Sequence, residues 1–161
     1  MIPIQIDSKM ALPNIFTHEV SDAIIERINK LDSTTKAKWG TMSVAQMLAH
    51  CSVTYEMVYE NFHKEPPFFM KLMLKFFVKN YIVNEEPYKH DLRTAPAFVI
   101  KEDKNFEVEK SRLIEYIKRT TALGENHFDQ KKSLSFGVLS KTEWNNMFWK
   151  HLDHHLKQFG V

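Results

Sequence analysis

The sequence predicts an all-α fold, a single helix bundle over residues 1–161, and three observations predict it. Breakers are scarce, with four Gly and six Pro in 161 residues, which favours long helices over many short strands. Five segments place apolar residues at helical spacing, and none shows a convincing strand alternation. Two of those segments open on capping boxes, Ser43 with Gln46 and Ser140 with Glu143, where each side chain caps the other's backbone N–H. Helices with an apolar stripe must bury it against one another, which gives a bundle.

Residues 1 to 16 read as an irregular lead-in punctuated by Pro3 and Pro13. Thr17 is an N-cap for a helix over 18–31, with Val20, Ile24, Ile28 and Leu31 on one face. Ser33 to Gly40 is a polar link. The Ser43 box starts a second helix, 44–62, which should stop before Pro66-Pro67. A third stretch, 68–82, is apolar nearly all round except for Lys71, Lys75 and Lys79. Pro87 and Pro96 make 85–103 mostly loop. Asn105 caps a helix over 106–122, which ends at Gly124. Residues 124–139 form a second loop. The Ser140 box starts the last helix, 141–158, with Gly160 just past its end. The long connection from 62 to 105 contains its own helix, so two consecutive main helices are free to run parallel. No internal repeat or domain boundary is visible.

Composition narrows the function classes. Twenty-two basic and 20 acidic side chains give a net charge of +2, without the dense basic patch that nucleic acid requires. No DNA or RNA partner is expected. Cys51 is the single cysteine, which excludes an intrachain disulfide and fits a reducing, cytoplasmic location. The first residues lack the basic and apolar regions of a secretory signal. The most apolar run, 68–83, is interrupted by three lysines and is short for a membrane span of about 20 apolar residues.

Histidine placement carries the chemistry. His151, His154 and His155 fall in the last helix. At about 100° per residue, His151 and His155 lie within the stripe of Trp144, Met147, Phe148 and Phe159. Lys157, Asp153 and Asn146 are expected on the opposite, polar face, and His154 on the rim. Two buried imidazoles without partners would cost on the order of a few kcal/mol each. Histidines one turn apart are also well placed to share a metal ion. Taken alone, such a pair is more often two core histidines bonded to backbone or carboxylate. A third ligand is needed, and His50, seven residues past the capping Ser43, is the candidate. It sits at the edge of the apolar arc of Val44, Met47, Cys51, Val58 and Phe62, flanked by Thr54 and Met57.

These segments resemble the DinB-like metalloenzyme superfamily, and within it the DUF1569 branch. The resemblance runs through Trp39-Gly40-Thr41-Met42-Ser43 to Gln46-Met47-Leu48-Ala49-His50, then Thr94-Ala95-Pro96-Ala97-Phe98 and Phe136-Gly137 with Glu143-Trp144. Its most specific piece is the ending from His151 to Gly160. It implies a four-helix bundle with a long crossover that contains an extra helix. It also implies a divalent metal, zinc or nickel, on His50, His151 and His155, with an open side and His154 left out. Superfamily relatives include transferases and isomerases that use a low-molecular-weight thiol as cosubstrate. The resemblance thus implies a metal that activates a thiol or a water.

Two functional readings follow. One is a metal-dependent transferase, isomerase or hydrolase acting on a small-molecule substrate. The other is a non-catalytic bundle that kept the histidines and binds a small ligand or a protein partner. Cys51 reads as a core thiol, not a nucleophile. The Lys71, Lys75, Lys79 stripe reads as a solvated face. His18, His63, His90 and His127 read as surface histidines. Glu85 and Glu86 are carboxylates that could approach the metal, though their spacing does not require it. The phenylalanine-rich stretch 68–77 is more apolar than a lone surface helix needs, which suggests a homodimer.

Overall fold

The computed structural model describes residues 11–161; the lead-in expected before that lies outside the described residues. The molecule is mostly helical, as the spacing predicts. In chain order it has α1 (His18–Asn29), α2 (Val44–Tyr59), α3 (Phe68–Met73), a π-helical turn (Leu74–Val78), α4 (Lys79–Val83) and a 3₁₀ turn (Pro96–Phe98). Then come α5 (Phe106–Leu123), α6 (Glu125–Phe128), β1 (Lys131–Ser133), β2 (Gly137–Leu139) and α7 (Lys141–Gln158). Among the described residues no helix is long and apolar enough to cross a membrane.

Local chemistry starts these helices where the sequence says. Thr17 accepts from Val20 N at the head of α1, and Asn105 accepts from Val108 N at the head of α5. Both capping boxes form in full, Ser43 with Gln46 on α2 and Ser140 with Glu143 on α7. Gly124 closes α5 at φ +75°, a conformation that side-chain-bearing residues rarely adopt.

α2 ends at Tyr59, short of the expected 62, because its last turn is held by side chains and not by further helix. Glu60 is already extended, Tyr116 Oη donates to Glu60 Oε1, and His63 turns back to bond Glu56 Oε2 at 2.8 Å. His63 is therefore tied down and is not a free surface histidine. Glu56 and Glu109 are both buried and share Arg112, which pins α2 to α5.

The core is a cluster of buried residues from α1, α2, α5 and α7, including Ile24, Ile28, Met47, Leu48, Leu113, Ile117, Phe148 and Leu152. α2 is covered on all sides: every residue from Val44 to Glu56 except Gln46 is buried, as befits a central helix. It packs most extensively on α5, and also on α7 and the 3₁₀ turn. Aromatic rings fill the space toward the head of α7, with Phe128 edge-on to Trp144 and to Phe148 at 5.7 and 5.5 Å between centroids. Cys51 is buried against Met47, and burial pushes its thiol well above the ordinary range. The reading of Cys51 as core material thus fits its surroundings.

Three further features differ from expectation. First, 124–139 is not plain loop: α6 and a short antiparallel hairpin lie there, with Lys131 opposite Leu139 and Ser133 opposite Gly137. Strands of three residues are too short to show an alternation. Tertiary contacts hold them, with Leu139 fully buried and Trp144 Nε1 donating to Lys131 O. Second, the polar face expected on α7 is partly covered. Asn146 is buried and donates to Val83 O, and Lys150 is buried with its ammonium bonded to Tyr81 O and Asn84 Oδ1. The wheel could not foresee that α4 would pack on that side of α7. Burial lowers the Lys150 ammonium to about 8, against the opposing pull of Glu86. Third, the lysine stripe is solvated only in part: Lys75 is exposed, but the other two lysines are ion-paired. Lys71 pairs with Glu65 at 2.6 Å and Lys79 with Glu143 at 2.8 Å.

Candidate metal centre

Packing of α2 against α7 brings three histidines together that lie 101 and 105 residues apart, since His50 meets His151 and His155. Ring centroids are 4.9 Å apart for His50–His151, 4.5 Å for His50–His155 and 4.9 Å for His151–His155. One nitrogen from each lies within 4.8 Å of the others. His50 and His155 are buried and His151 is half-buried.

The orientation of each ring is set from outside the cluster. His50 Nδ1 lies 2.8 Å from Phe98 O, a carbonyl that only accepts, so Nδ1 carries the proton and Nε2 a lone pair. His155 Nδ1 lies 2.7 Å from Gln158 Oε1. Gln158 Nε2 donates to Trp39 O at 2.8 Å, which fixes the amide so that its oxygen faces the imidazole. His155 therefore also protonates Nδ1 and offers Nε2. His151 Nδ1 lies 3.0 Å from Thr54 Oγ1, which can donate or accept. Its Nε2 lies 2.9 Å from His50 Nε2. Since the His50 nitrogen is an acceptor, His151 Nε2 donates to it, and Thr54 donates to His151 Nδ1. The other tautomer, Nδ1–H to Thr54, frees the His151 Nε2 lone pair as well. All three Nδ1 atoms are thus engaged, and three Nε2 atoms face one another.

The electrostatics favour neutral imidazole. Burial lowers the His50 pKa, against the pull of the Phe98 carbonyl. His151 is pushed well down, chiefly by burial and then by His155, His50 and His154. Burial and His50 bring His155 to about 3, against the Gln158 bond. A cation would be costly here unless it were held by lone pairs.

The donor set suits such a cation. Three neutral imidazoles match borderline ions such as zinc or nickel. Two nitrogens on one ion at about 2.0–2.1 Å lie no more than about 4.2 Å apart. A spread capped at 4.8 Å thus closes with side-chain shifts under about 1 Å. The three histidines could hold a metal ion.

Nearby residues sort as follows. His154 turns away and packs edge-on to Trp39, Tyr88 and His90, at 5.9, 5.8 and 6.0 Å. It lines a neighbouring cleft of about 200 Å³. His90, expected as an ordinary surface histidine, is exposed but stacks on Trp39 at 3.8 Å. Glu85 lines that cleft, and neither it nor Glu86 is in the histidine cluster. The Phe98 ring lies 5.5 Å from His50 and 5.8 Å from His151, an apolar wall on the site. Sequence reading placed Thr54 only as a flank of His50 and gave no role to Phe98 O, Gln158 or Trp39 O. Two of these were within reach: Thr54 is one turn past His50, and Gln158 three residues past His155.

Gly40 belongs to the same structure. It has φ +79°, and a Cβ there would lie 2.7 Å from Gln158 Nε2. Only glycine lets the backbone after Trp39 pass this close to the amide.

A family model described as a protein of unknown function, DUF1569, matches residues 10–160. No curated protein and no solved structure matches the chain.

Proposed function

The chain belongs to the DUF1569 family, and from its histidine cluster we propose that it is a metal-dependent enzyme of the DinB-like superfamily. In this reading the fold is a four-helix bundle with a long crossover, and His50, His151 and His155 bind one zinc or nickel ion. A small-molecule substrate is transformed by transfer, isomerisation or hydrolysis, with a low-molecular-weight thiol or water as nucleophile. One observation carries the reading: all three Nδ1 atoms are engaged by Phe98 O, Thr54 Oγ1 and Gln158 Oε1, which leaves the Nε2 atoms facing one another. Outer hydrogen bonds of this kind orient imidazole ligands and raise their basicity. Core histidines satisfied for packing alone have no need to converge.

A divalent ion held by His50, His151 and His155 would supply a Lewis acid able to lower the pKa of a thiol or water. The chain's own groups do the rest. Phe98 O and Gln158 Oε1 hold the protons of His50 and His155 on Nδ1. Thr54 lets the His151 proton move from Nε2 to Nδ1, so the third lone pair becomes available without loss of a proton to solvent. The Phe98 ring shields one side of the site from water.

Elemental analysis of the purified protein, before and after exposure to zinc or nickel, tests the reading. About one ion per chain is expected. His151→Ala and His155→Ala should abolish uptake, whereas His154→Ala should retain it. A wild-type chain that takes up neither ion would overturn the proposal, as would a triple alanine variant that binds with unchanged stoichiometry. Loaded protein can then be assayed for thiol transfer to small electrophiles. Full loading without turnover would favour the non-catalytic reading.

A further inference from the structure

The segment from α3 through the π turn has two of the lysines on and just after it tied to the protein, while its phenylalanines face solvent, unlike an ordinary surface helix. Lys71 and Lys79 are tied to Glu65 and Glu143 of the same chain. Outward stand Phe62, Phe68, Phe69, Phe76 and Phe77, which are 65–78% exposed. No residue of α3 or of the π turn is buried. A π-helical turn lies between Met73 and Lys79 and carries Phe76 and Phe77, both exposed.

The patch is large. At about 200 Å² per aromatic side chain, the five rings expose on the order of 700 Å². Met70 and Met73, half and somewhat less than half exposed, raise it to roughly 900 Å². The largest apolar patch on a typical monomer is about 300–600 Å², whereas one side of a standard protein interface is about 800 Å².

We propose that this face is the contact between two copies of the chain. Its area matches what each partner in a stable dimer covers. Its composition, Phe and Met with charge at the rim, is that of an interface core. A single face of one kind of chemistry can also meet itself across a two-fold axis. A bilayer surface is the less suitable occupant. An interfacial helix needs cations free to reach the headgroups, and here two of the three lysines are already neutralised. Glu65 binds Lys132 as well as Lys71, so those three groups at the rim carry a single net positive charge. The inference does not depend on the metal reading.

Sedimentation of the full chain from micromolar to hundreds of micromolar concentration provides the test, with the double variant Phe69→Glu, Phe77→Glu as the comparison. The wild type should be a dimer. The double variant should be a monomer with unchanged helical circular dichroism, its dissociation constant raised by about 100-fold or more. In parallel, peroxide oxidation of Met70 and Met73 should slow as wild-type concentration rises through the dimerisation range. That readout needs no substitution and decides the matter if the double variant loses helicity. A wild type that stays monomeric overturns the proposal. So does a double variant that dimerises equally well, or a dimer in which Met70 and Met73 oxidise at the monomer's rate. A monomer that instead sediments with vesicles of phosphatidylcholine and phosphatidylserine would assign the face to a bilayer and overturn it too.

Discussion

Replacing Gln158 separates a support for the metal from mere packing. Its side chain is buried, accepts from His155 Nδ1 at 2.7 Å and donates to Trp39 O at 2.8 Å. Gln158→Ala removes both bonds and leaves His155 Nδ1, in a buried residue, and Trp39 O, in a half-buried one, without these partners. Each loss costs about 1–3 kcal/mol. Relaxation and water entry reduce the sum, so a loss of roughly 2–4 kcal/mol in metal-free stability is expected. Loss of an outer partner of a ligating histidine lowers metal affinity by about 10–100-fold, or about 1.4–2.8 kcal/mol. Gln158→Glu behaves differently. It keeps an acceptor for His155 Nδ1–H, so metal affinity should hold or rise. It also sets an oxygen against Trp39 O, so metal-free stability should fall. Urea unfolding of metal-free protein and competition against a chromophoric chelator measure the two quantities. If Gln158→Ala loses stability but binds zinc and nickel as tightly as wild type, Gln158 does not support the ligand and the reasoning is wrong.

Two further outcomes are expected. Tyr55 Oη is buried with no hydrogen-bond partner among the described residues, between rings of Phe148 and Tyr116. Tyr55→Phe should therefore be neutral or stabilising by up to about 1–2 kcal/mol in urea unfolding; a loss above about 1 kcal/mol would show that the hydroxyl is satisfied after all. The metal-free protein should also be acid-labile because of its histidines. Their folded pKa values lie below 6.5, that of His155 at about 3, so between those limits the unfolded chain binds more protons. Stability is whole above about pH 6.5 and falls as pH drops toward the folded values, by at most about 1.4 kcal/mol per pH unit for each histidine. Unfolding measured between pH 7 and 5 should show this loss, and His155→Gln should reduce its slope; an unchanged slope would remove His155 as a contributor.

Local chemistry made much of the helical architecture legible in the sequence. The Ser43 and Ser140 boxes, the Asn105 cap and the Gly124 stop act within four residues of themselves, so α5 and α7 start and end within a residue of expectation. The inward i, i+4 placement of His151 and His155 was equally local, since it depends only on helical periodicity. Tertiary structure decided whatever depends on a neighbour distant in the chain. The hairpin at 131–139 forms because Trp144 and a buried Leu139 hold it. Asn146 and Lys150 are buried because α4 covers a face of α7 that its own sequence marks as polar. The meeting of His50 with the α7 pair was suggested by type and by resemblance, but only helix packing brings the rings to 4.5–4.9 Å. The partners that turn them come from three places: Thr54 on α2, the Phe98 carbonyl on a loop turn, and Gln158 held by Trp39. The physical reason is range. Caps and periodicity act over a few residues of chain, whereas a metal site needs lone pairs aimed to within about half an ångström, and that aim depends on how distant segments pack.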